Sequence, residues 1–169
     1  KGQKIWSFLW TNLTFQGLFK MTNEAMFQLD KRLENDTTLI ASWPLCEVLL
    51  MNDSQYPWCI LVPRVENLSE IYQLSRSQRQ QLDLESIYLS KTLMQVFKGD
   101  KLNVAALGNV VNQLHIHHVV RYSADKAWPA PIWGKLPTIA YSEEALESCL
   151  KKLTVLKDPD WADIALSNT

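Results

Sequence analysis

Apolar positions along the chain fall into short continuous runs in its first half and one long helical stripe in its middle. Residues 38–43 and 45–51 are apolar runs on either side of Pro44, which has no N–H for a sheet ladder and breaks what would otherwise be one strand. Asn52-Asp53-Ser54-Gln55-Tyr56-Pro57 is turn chemistry, and Trp58-Cys59-Ile60-Leu61-Val62 follows as a run ended by Pro63, the pattern of a buried hairpin strand. Ser75 with Gln78 three residues on opens a helix as a capping box. Leu82, Leu89, Leu93 and Val96 then form one stripe, opposite Gln81, Glu85 and Lys91, and the helix stops near Gly99. Residues 102–107 and 114–122 read as two more strands, joined by Gly108-Asn109-Val110-Val111-Asn112. The stretch from Trp128 to Gly134 is too rich in proline for regular structure. Ser142 caps a last helix, with Glu143 and Glu144 in its first turn and Lys151 and Lys152 late, matching the helix dipole. Residues 23–34 mix Phe27, Leu29 and Leu33 with charge and predict a short helix.

Together these elements predict an α+β domain: an antiparallel sheet of about five strands, a long amphipathic helix and a C-terminal helical extension. No internal repeat or linker divides the chain, and 169 residues suit a single core. The expected organisation is a leader over 1–20, a domain over 21–156 and a tail over 157–169. Ile5, Trp6, Leu9, Trp10 and Leu13 recur at helical spacing, yet Thr11, Asn12, Thr14 and Gln16 interrupt them, so no membrane span is expected there. Residues 1–20 read either as an interfacial amphipathic anchor or, the favoured reading, as an extension ahead of a natural start at Met21.

Charge narrows the partners. Lys plus Arg is 17 and Asp plus Glu is 18, so no overall charge points to nucleic acid or an anionic membrane, while a small anion site stays open. Cys46, Cys59 and Cys149 are scattered, odd in number and without zinc-ligand spacing, which favours core thiols in a reduced, cytoplasmic setting. Phosphate-cradling glycine loops of the P-loop or dinucleotide kind are missing, and no cofactor is expected.

The candidate chemistry lies in Gln113-Leu114-His115-Ile116-His117-His118, which holds all 3 histidines of the chain. Strand alternation puts His115 and His117 on one face with Gln113, roughly 6.5 Å apart, and turns Leu114, Ile116, His118 and Val120 to an apolar face that should meet the helix. His118 therefore reads as a packing or interface residue. A metal site on His115 and His117 lacks a third ligand, so none is expected.

Gln113-Leu114-His115-Ile116-His117-His118-Val119 resembles the histidine triad motif His-φ-His-φ-His-φ-φ, with glutamine in the first slot. Gly108-Asn109-Val110-Val111 matches that family's Gly-Gln-Ser/Thr-Val in register, and Leu50-Met51-Asn52 and Cys59-Ile60-Leu61-Val62-Pro63-Arg64 resemble its two nucleotide-binding strands. The resemblance covers roughly residues 38–122. It implies a nucleotide hydrolase or transferase, typically a homodimer, that cuts at the α-phosphate through a nucleotidyl-histidine. His115 matches the nucleophile and His117 the third histidine. By the same resemblance Asn52 lies near a ribose, Asn103 supplies a phosphate-binding amide, and Gly108 and Asn109 belong to the phosphate loop. Gln113 orients phosphate or leaving group but cannot titrate. Val110 replaces the usual hydroxyl, and Trp58 stands where the family has a histidine. A nucleotide-binding regulator that has lost turnover through these changes is the second reading. Trp128 and Trp133 either stack on a base or pack onto the sheet. The helix stripe and an edge strand at 45–51 suggest the homodimer surface.

Overall fold

The computed structural model describes residues 27–161, so the readings for residues 1–20 and the start of the helix predicted over 23–34 lie outside the described residues. Helix α1 (Lys31–Asp36) begins at Asp30, whose carboxylate accepts the Arg32 N–H at 2.9 Å and caps the first turn. Strands β1 (Thr37–Ser42), β2 (Cys46–Met51) and β3 (Trp58–Pro63) follow, then helix α2 (Arg76–Phe97), strands β4 (Lys101–Ala106) and β5 (Ile116–Arg121), and helix α3 (Glu143–Lys152). The strands form one antiparallel sheet in the order β1-β2-β3-β5-β4. The Ser75–Gln78 capping box, the Ser142 cap, the hairpin and the five-stranded α+β architecture agree with the pattern of the sequence.

Three details do not. Strand β2, read as a sheet edge, lies between β1 and β3, and the free edges are β1 and β4. Strand β5 starts at Ile116, so His115 stands just outside the ladder rather than within it. Glu85, placed by the stripe on the polar side of α2, is fully buried. Its carboxylate accepts the backbone N–H groups of Leu45 at 2.8 Å and Cys46 at 3.0 Å, beside the break made by Pro44. Gln81 donates to the same carboxylate at 2.9 Å.

Both faces of the central strands are covered, which is why β3 and β5 are buried at every position. One face carries Val48, Leu50, Cys59, Leu61, Ile116 and Val120 against Leu82, Leu89 and Leu93 of α2 and against Leu153 and Leu156 beyond α3. The other carries Leu49, Trp58, Ile60, Val62 and Val119 beneath Leu33, Ala127, Ile132 and Trp133. Gly99 is required by the first of these. A Cβ there would lie 2.2 Å from the Val120 side chain, so only glycine lets the end of α2 close onto β5. Ile60 of β3 and Ala105 of β4 flank His117, which fixes the position of the histidines within the sheet.

Candidate active site

His115 lies at the entry to β5, and its ring is 4.8 Å from that of His117 and nearly perpendicular to it at 86°. Its Nδ1 is 2.7 Å from the carbonyl oxygen of Gln113. A carbonyl only accepts, so Nδ1 carries a proton and the neutral ring has its lone pair on Nε2. On His117 the order is reversed. The Trp58 indole N–H, which only donates, points to His117 Nδ1 at 3.0 Å, so that nitrogen is the acceptor and the neutral ring bears its proton on Nε2. Burial above all, then the neighbouring His115 and His118, pushes the His117 imidazole down to about 3.

His118 faces α2, as alternation predicts. Its Nδ1 donates to the Ile116 carbonyl at 3.2 Å, and its Nε2 accepts the Ser86 hydroxyl at 2.8 Å. Burial pushes this ring down to about 4. It takes no part in the chemistry of the other face.

His115 lines a cavity of about 220 Å³ with Ser69, Glu70, Gly108, Asn109 and Asn112. Gly108 and Asn109 therefore do meet His115. At Gly108 a Cβ would come no closer than 3.6 Å to the Val111 carbonyl oxygen, so the chain's own packing does not demand a glycine there.

The remaining residues named from the sequence are used elsewhere. Gln113 has its amide oxygen on the Asp30 N–H at 2.8 Å and its amide nitrogen on the Gln28 carbonyl at 2.9 Å. Both ends of the amide thus hold residues 28–30, along a second cavity of about 470 Å³ that Asn112 also lines. Asn52 accepts the Tyr141 N–H at 3.0 Å and pins the chain ahead of α3. Asn103 pairs with Val119 in the β4–β5 ladder, and its side chain accepts from Arg121 at 2.8 Å. Neither asparagine is among the residues that line the His115 cavity.

Arg121 was missed in the sequence, although alternation places it on the His117 face. It is 1% exposed and donates twice to Asp125, at 2.7 and 2.9 Å, and once to the Ala130 carbonyl at 3.0 Å. Its guanidinium lies over the rings of Tyr56 and Trp128, 5.9 and 5.8 Å from their centres. The guanidinium in turn holds the Asp125 carboxyl below its ordinary range. This clasp carries the proline-rich stretch back over the sheet, where the Trp133 ring lies 5.7 Å from His117 and 6.2 Å from Trp58. Trp133 packs onto the sheet face, whereas Trp128, 40% exposed, lies against the Arg121 guanidinium. Ser69, Glu70 and Asn112 also went unread, because only the folded loops bring them to His115.

Among the described residues no helix is long and apolar enough to cross a membrane. No curated protein sequence matches the chain. Solved structures do. A histidine triad protein from Marinobacter aquaeolei is 55% identical, with 78% of this chain and 96% of that one covered and a TM-score of 0.76. One from Sinorhizobium meliloti is 35% identical over 76% and 95% of the two chains, with a TM-score of 0.74. One from Bradyrhizobium japonicum is 41% identical over 75% and 95%, with a TM-score of 0.73. The family profile described as HIT domain matches residues 32–124, which hold the sheet, α2 and all three histidines, so the chain belongs to the histidine triad family.

Proposed function

We propose that the chain is a nucleotide phosphohydrolase or nucleotidyl transferase that works at the α-phosphate through a nucleotidyl adduct on Nε2 of His115. The observation that carries this reading is the bond from His115 Nδ1 to the Gln113 carbonyl, which in the neutral ring puts the lone pair on Nε2 of a side chain that lines a cavity. A neutral imidazole is a competent nucleophile toward phosphorus, and its phosphoramidate adduct is labile enough for water or another acceptor to resolve. Such transfers ask a protein mainly for positioning and charge stabilisation. Asn109, Asn112 and the His117 Nε2–H are the donors for a bound phosphate. Asn52 and Asn103, which do not line the His115 cavity, are not part of the proposal. Nor does it involve a metal or cofactor. A reduced cytoplasmic setting fits three cysteines that are free and buried.

The test is a screen of adenylyl and guanylyl derivatives, including dinucleoside polyphosphates and aminoacyl or sulfato adenylates, read by mass spectrometry. Release of a nucleoside monophosphate, or its transfer to an acceptor, is expected. The second reading, a nucleotide-binding regulator, draws on the occupied amide of Gln113. Thermal stabilisation by these ligands with no product from any of them would select the regulator and overturn the enzyme.

A further inference from the structure

The first slot of the motif and the residue facing its last histidine both depart from the family pattern, and the two departures share a consequence. Gln113 has no titratable proton, and its amide is already bonded at both ends to residues 28 and 30. His117 would have to become an imidazolium to act as an acid, which means placing a second proton on Nδ1. That nitrogen faces the Trp58 N–H at 3.0 Å, so protonation would set donor against donor inside a packed site. Among the described residues the other neighbours of His117 offer no substitute: Ile60 on β3, Ala105 on β4 and Trp133 in the segment above it are not acids. His118 is turned away to Ser86. Among the described residues Glu70 is the one carboxyl group that lines the His115 cavity.

We propose that the site gives its leaving group no proton, so its substrates are nucleotides joined through an acid anhydride, to phosphate, sulfate or carboxylate, rather than through an amide or alkyl ester. Trp58 is the positioning residue that enforces this, by holding His117 as a fixed Nε2–H donor. The inference rests on His115 as nucleophile. Its Nε2 lone pair forms the P–N bond while the bond from phosphorus to the leaving oxygen breaks, and that electron pair departs on the oxygen as an anion. The phosphorylated ring keeps its Nδ1 proton on the Gln113 carbonyl. Water then attacks phosphorus, the P–N pair returns to Nε2, and the proton lost by water passes to solvent. A leaving group unstable as an anion has no route out. The low position of His117, at about 3, agrees with this geometry.

The experiment uses the full chain with aryl esters of adenosine 5′-monophosphate, graded from nitrophenyl to phenyl, together with an alkyl phosphoramidate of the same nucleotide. The expected kcat/KM falls about tenfold for each unit by which the leaving group's pKa rises, and the phosphoramidate is not turned over. A flat series, or rapid cleavage of the phosphoramidate, overturns the inference and leaves His115 as nucleophile intact. No adduct or turnover with any ester overturns both. Nitrogen-15 NMR is independent of activity: His117 Nδ1 should show the unprotonated shift at neutral pH, and a protonated Nδ1 overturns the inference. Trp58→Phe should mix the two tautomers and make the leaving-group slope shallower; an unchanged tautomer and slope would contradict the role given to Trp58. Glu70→Gln should keep the slope of the parent, whereas a slope that steepens in that variant would identify Glu70 as the acid and overturn the inference.

Discussion

One carbonyl oxygen, that of Gln113, decides which nitrogen of His115 is free to react, and one indole N–H decides the same for His117. His118 repeats the carbonyl contact two residues back, but against α2, where its Nε2 is taken by Ser86. Three imidazoles within four residues thus hold different roles, set by their partners. A pH dependence follows. His117 and His118 are held neutral, at about 3 and about 4, whereas in the unfolded chain both take a proton near 6.5. Below that pH the unfolded state binds more protons, so stability is intact above about 6.5 and is lost as pH falls toward the two folded-state values. Melting temperature should drop between pH 7 and pH 5, and His118→Gln should make the drop shallower. A melting temperature independent of pH over that interval would contradict the buried neutral state. Gln113 gives a second test. Replacing it with histidine restores the family residue but removes two contacts to residues 28 and 30, so Gln113→His should cost about 1–3 kcal/mol in urea unfolding. An unchanged midpoint would show that the amide does not hold that segment.

Among the elements, those whose signals are local were legible. Helix α2 announced itself through the Ser75–Gln78 capping box and the leucine stripe, and α3 through Ser142 and its graded charges. The hairpin of β2 and β3 followed from turn chemistry between apolar runs. Glu85 was not legible, because a helical stripe cannot foresee a carboxylate buried to answer backbone donors in another element. Arg121 was hidden for a related reason: its bond to Asn103 depends on the β4–β5 register, and its bonds to Asp125 on a turn after β5. Arg121→Met leaves Asp125 buried without its partner and should cost about 3–5 kcal/mol, read by chemical denaturation. Near-ultraviolet circular dichroism should change with it, since the clasp carries the segment bearing Trp128 and Trp133. A loss below about 1 kcal/mol would remove the clasp from the account of how Trp133 reaches His117.

For the whole molecule, family and architecture could be read from the order of motifs, and His115 with its loop residues Gly108 and Asn109 came together as that order implied. Asn52 and Gln113 were placed by analogy of position, and in the fold each ties a flanking segment to the sheet. Association is a proposal of the same scale. With β2 internal, the surface for a homodimer is the free edge of β4, where Val104 is 49% exposed. Light scattering at micromolar concentration should report a dimer, and Val104→Lys should weaken it; a monomer at that concentration would sink the proposal. The central claim is chemical and is tested most directly by trapping. With a slow nucleotide substrate, mass spectrometry of the full chain should find an acid-labile, base-stable nucleotidyl adduct on His115. His115→Ala should lose both adduct and turnover yet still bind the ligand, and His117→Ala should keep part of its turnover. If a well-folded His118→Ala loses catalysis while His115→Ala retains it, the assignment of the nucleophile is wrong.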